Sequence, residues 1–141
     1  MDGALSTLAP IFAVALATHR PLTAFYTGIA TALGAGVSMA FSEGLSDTGE
    51  LTGRGSPFMR GAITGSGTFL GGVFHTLPFL IPDYQTAIVA AIVIVAAELL
   101  LLAWLRHRFF ATSFVRSFVS VTVGGAIIAS MSAALGVLAA G

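Results

Sequence analysis

Hydrophobic residues fall in five long runs separated by short polar breaks, covering 2–18, 22–46, 59–81, 84–105 and 114–139. Each is about long enough to cross a bilayer as a helix. None alternates residue by residue as the strands of a membrane barrel do. The pattern predicts an all-α membrane domain of five transmembrane helices. The first run is the shortest and is interrupted at Pro10, with His19-Arg20-Pro21 after it. A polar linker with three glycines follows the second run. Pro78 and Pro82 close the third. The fourth is aliphatic except for Glu98 and ends at Arg106-His107-Arg108. The fifth contains Gly124-Gly125 and a small-residue second half.

Two faces separate along the second run at helical spacing. Gly28, Ala32, Gly36, Ala40 and Gly44 recur every four residues. Such a small-residue stripe lets helix backbones approach closely in lipid. Gly61/Gly65 and Gly67/Gly71 give the third run the same character. The face beside the stripe carries Thr31, Ala35, Met39, Glu43 and Asp47, with Glu50 a turn further on. Met39 and Glu43 are i,i+4 neighbours, so both side chains can reach one ligand.

Composition supports the membrane reading. The chain of 141 residues is 56% hydrophobic and 9% charged, with a mean hydropathy of +0.96. Soluble domains are about a quarter charged. Net charge is zero, which gives no electrostatic case for nucleic acid. Without cysteine there is no disulfide, thiolate metal site or cysteine nucleophile. No nucleophile elbow, His-x-x-x-His pair or phosphate loop appears, so the chain reads as non-enzymatic and without a permanently bound cofactor. Arg54, Arg60, Arg106, Arg108 and Arg116 fall on the N-terminal side of the predicted topology, and Arg20 alone on the other. The positive-inside rule then puts the N-terminus in the cytoplasm and the C-terminus outside.

Met39, Glu43, Asp47 and Glu50 form a candidate path for a divalent cation. Carboxylates suit Fe²⁺ and Mn²⁺, and a thioether favours a softer metal over Mg²⁺ or Ca²⁺. The plainer alternative makes Met39 packing filler and the acids a solvated helix end. Asp2, on its own, reads as an exposed terminal charge. Glu98 is suited to proton exchange or to an interhelix hydrogen bond, with His75 or an arginine as partner. His75 otherwise reads as a capping or packing residue, and His107 as interfacial.

The stretch GAGVSMAFSEGLSD (34–47) resembles the second-helix signature of the vacuolar iron transporter family. Asp2-Gly3 ahead of a proline-containing helix, and HTLPFLIPD (75–83), are similar to it as well. The linker LSDTGELTGRGSPFMRG (45–61) is similar to that of its bacterial branch, the membrane-bound ferritins. The resemblance implies a homodimer in the bacterial inner membrane that exports Fe²⁺ or Mn²⁺ through a pore between the first two helices of each copy. It gives Asp2, Met39 and Glu43 roles in translocation, and so replaces the plain reading of Asp2. In that branch a cytoplasmic ferritin-like domain precedes the membrane domain. The chain departs from the family in three places. The family's first helix begins before its Asp-Gly, which implies either residues missing upstream, a ferritin-like domain among the candidates, or a native start other than Met1. Thr31 stands where plant members carry a glutamate, and the metal-collecting insert between helices two and three shrinks to 47–58.

Two functions follow from these readings. One is a cation exporter using proton counterflow. The other is a membrane anchor that oligomerises an iron-binding domain without transporting anything. The glycine stripes (Gly28, Gly36, Gly44, Gly61, Gly65) serve both. An anchor has no use for Met39 and Glu43 on one face.

Overall fold

The computed structural model describes residues 2–50, 52–110 and 113–140, and side chains within them except at 2–5, 110 and 140. Five α-helices and one 3₁₀ turn make up the described chain: α1 (Asp2–Thr18), α2 (Pro21–Gly44), α3 (Pro57–Phe74), the turn (Leu77–Leu80), α4 (Tyr84–Phe110) and α5 (Phe114–Ala140).

Three of these helices, α2, α4 and α5, are long and apolar enough to cross a membrane, which marks the chain as a membrane protein. The apolar part of α1, Ser6–Thr18, is shorter than that. Helix α3 is 18 residues long and ends at Phe74, seven short of the 59–81 run. Pro78 has no N–H to give the Phe74 carbonyl and its ring clashes there, so the helix stops and tightens into the 3₁₀ turn. Asp83 then caps α4 by accepting a 2.8 Å hydrogen bond from the Thr86 N–H.

Pro10 does not interrupt α1, which runs unbroken through it. Neighbouring helices and local adjustment make a proline tolerable in a membrane helix. At the other end of the chain, α4 continues past Leu105, with His107 and Arg108 in its last turn. Cations there complement the negative end of the helix dipole. α2 begins with Pro21 at its first position, where the missing N–H costs no hydrogen bond.

Helix α2 packs most extensively against α3, antiparallel, and the glycines set the distance. A methyl group built on Gly61 or Gly65 would lie 2.6 Å from the backbone oxygen of Ala40 or Gly36. Gly28 faces the Thr76 side chain and Ile11. Two predicted packing glycines behave otherwise. Gly44 has room for a methyl group, whose nearest neighbour would be 3.6 Å away, and Gly67 faces open space. Helix α1 lies against α2, α3 and α5, and α4 meets chiefly α5 and the 3₁₀ turn. The core is made of Ile11, Ala15, Ala24, Phe79, Ala87 and Ala91, with Phe12 set edge-on to Phe79 at 6.2 Å. An apolar groove of about 260 Å³ is lined by α1, α4 and α5 beside Leu8, Phe12 and Ile92. Large apolar side chains such as Val37, Phe41, Ile63, Val93 and Leu135 face outward, as lipid contact requires.

Candidate functional site

Glu43 at the end of α2 and Asp47 in the linker after it meet two arginines, Arg54 of the linker and Arg60 of α3. Glu43 Oε1 accepts from Arg54 at 2.7 Å and from Arg60 Nε at 3.1 Å. Asp47 takes Arg54 at 3.0 Å and Arg60 at 3.4 Å. Arg60 also donates to the backbone carbonyls of Asp47 (3.0 Å) and Gly55 (2.9 Å), so its guanidinium ties both ends of the linker together. It stands in the first turn of α3, half-buried, while Arg54 is exposed.

Glycine makes this closure feasible. Gly49 and Gly55 have φ of +82° and +78°, left-handed conformations that other residues adopt at a cost. The Gly49 N–H and the Thr52 hydroxyl donate to Asp47 Oδ1 at 2.6 and 3.0 Å. Partial burial works to raise the Asp47 pKa. The hydrogen bonds from Thr52 and Gly49, the charge of Arg60 and the bond from Arg54 outweigh it, and the carboxyl sits below its ordinary 3.8.

The predicted path residues are therefore only partly gathered. Glu43 and Asp47 come together, but around arginine. Met39 lies one turn further along the same helix, half-buried like Thr31 and Ala35. Glu50 is exposed in the linker and joins no ion pair with a described residue. The Asp2 side chain lies outside the described residues. No three acidic or histidine side chains converge on one point among the described residues. The sequence reading overlooked Arg54 and Arg60 as partners. A signal was present: acids closing one helix and arginines opening the next meet whenever the two helices are antiparallel neighbours.

The second candidate is deeper. His75 caps the C-terminus of α3 and is 1% exposed, and its Nδ1 lies 2.8 Å from Glu98 Oε2 on α4. Of the partners open to Glu98 in the sequence, the structure selects His75. Thr7, Thr68 and Thr76 are buried as well. Thr76 donates its hydroxyl to the Val73 carbonyl at 2.8 Å, which closes the frayed end of α3.

Comparison with protein-family models, curated proteins and solved structures yields no match.

Proposed function

We propose that the chain is the membrane domain of an Fe²⁺ or Mn²⁺ exporter of the vacuolar-iron-transporter type. It would work as a homodimer in a bacterial inner membrane, with five spans, a cytoplasmic N-terminus and an outer C-terminus. One observation carries the reading. Thr31, Ala35, Met39 and Glu43 form a half-buried line along α2, on a bundle whose other outward positions are largely aliphatic or aromatic. Asp47, which the sequence placed on the same helix face, continues it from the linker after the helix ends at Gly44. An acid on such a line is costly in lipid and is a functional candidate by default, and the methionine one turn away offers a soft donor beside it. The resemblance of 34–47 to the family's second helix points the same way.

In this reading the arginine cluster is the closed entrance. A divalent cation arriving at Asp47 replaces Arg54, the exposed guanidinium, more readily than Arg60, which is held by two backbone carbonyls. The ion then passes Glu43 and Met39 towards helix α1, where the resemblance assigns Asp2. Clustering of Arg54, Arg60, Arg106, Arg108 and Arg116 at one end of the up-and-down bundle, against Arg20 at the other, supports the orientation.

The anchor reading also has an observation in its favour. Both acids of the α2 end are already neutralised by arginine, an arrangement that needs no metal. Fe²⁺ flux into inside-out vesicles separates the two. A transporter loses flux in Glu43→Gln, and in Met39→Leu its discrimination between Fe²⁺ and Mg²⁺ narrows. Flux at the level of empty vesicles with the folded parent protein leaves the anchor.

A further inference from the structure

Helix α3 stops before it has run the length of the apolar helix it packs against. Its antiparallel partner α2 meets Thr76 at Gly28 and continues for about two more turns to Pro21. The chain covers that remaining depth as the 3₁₀ turn and the bends up to Asp83. Irregular backbone at membrane depth persists only where protein buries it or where it lines a cavity. Here Thr76, Pro78 and Phe79 are buried. Interrupted helices at this depth are where ions are bound in membrane carriers. His75 stands at the interruption, against Glu98, and both contacting atoms are shut off from solvent.

The electrostatics of such a pair are two-valued. Imidazolium facing carboxylate, or imidazole facing carboxylic acid, carries no net charge and holds one proton more than imidazole facing carboxylate. Removing that proton leaves a net charge of about −1 in an apolar layer, where the charge is poorly solvated. The other ionisable groups on the packed elements are Tyr26 and Glu43 on α2, Arg60 on α3, Tyr84, Arg106, His107 and Arg108 on α4, and Arg116 on α5; α1 from Ser6 to Thr18 and the 3₁₀ turn have none. Glu43 and Arg60 are engaged with each other.

We propose that His75 and Glu98 form a proton-binding site within the apolar layer, loading and unloading one proton shared between imidazole and carboxyl. In a transport cycle the pair takes up a proton when the cation leaves and gives it to water on the opposite side when the next cation enters. That second statement rests on the transport reading above. Its place at the junction of α4 with the end of α3 lets one unit of charge act on the fit between those elements.

Infrared difference spectroscopy on the full chain in lipid, free of metal, tests the site directly over an interval of pH from acid to alkaline. The expected result is a pH-dependent signal from the pair, in the carboxylic C=O band or in the imidazolium ring modes. Both Glu98→Gln and His75→Gln lose it. A parent spectrum in which neither group changes across the interval overturns the proposal, and needs no variant to fold. In vesicles supplied with Fe²⁺, the parent shows proton counterflow with Fe²⁺ flux, and Glu98→Gln loses that counterflow. Unchanged counterflow in that variant overturns the coupling. Absence of Fe²⁺ flux in the parent refutes the transport reading instead, and the spectroscopic result on the proton site stands by itself.

Discussion

A methyl group added at Gly36 would sit 2.9 Å from the Gly65 carbonyl oxygen and 3.0 Å from Phe69 Cβ, whereas one added at Gly67 meets nothing within 4 Å. The two glycines look alike in the sequence, each standing four residues from another small one. Spacing identifies a stripe but not which side of the helix has a neighbour, so Gly67 and Gly44 were indistinguishable from Gly36 and Gly65. The difference has opposite consequences for stability. Gly67→Ala should stabilise the protein by up to about 1 kcal/mol, the helix-propensity difference between the residues. Gly36→Ala should lower stability, because the clash is with backbone and cannot be relieved by a side-chain rotation. Thermal unfolding in detergent checks both, and equal shifts would sink the packing argument.

Among the elements, the linker shows how far local sequence reaches. Its glycines and charges announce a turn, and its ends fall close to where they were read. Its closure by Arg60 depends on α3 returning antiparallel to α2, which no short window contains. Arg60 has a side chain 12% exposed and Arg54 one 49% exposed, so their removal should differ. Arg60→Gln should open the linker to protease markedly, and Arg54→Gln only slightly. Equal cleavage of the two variants would show that Arg60 does not hold the loop. Acid should have the same effect as Arg60→Gln. The Asp47 pKa is lower in the folded chain than its ordinary 3.8, so its contribution is complete above that value and is lost as pH falls through the folded value. Linker cleavage measured with an acid-active protease should therefore rise below about pH 4. The truncation of α3 was written in Pro78, yet the apolar residues beyond it carried the run to 81, and hydropathy alone does not register a backbone interruption.

For the whole molecule, sidedness is the property most open to measurement. The chain has no cysteine, so single cysteines report without background. In intact cells an impermeant maleimide should reach Gln85→Cys, exposed in the first turn of α4, and miss Ser56→Cys, exposed before α3. The reverse pattern would overturn the arginine argument and the direction of export with it. Membrane character and the all-helical fold were plain in the runs of apolar residues. The partnership of helices was not, since close packing of small residues leaves little trace in hydropathy. One such partnership, α1 with α5, joins the beginning of the described chain to its end: Gly136 lies where a methyl group would be 2.9 Å from Leu16 Cβ. On the ribosome α1 is made before this partner, with α2, α3 and α4 between them. Helices α1, α2 and α3 can assemble as they emerge, but one flank of α1 stays against lipid until synthesis reaches α5. The flank of α1 is thus sealed by α5, and a chain released before Phe114 should reach the membrane yet be cleared by quality control. Steady-state levels of that truncation in cells would measure how much of the assembly waits for α5.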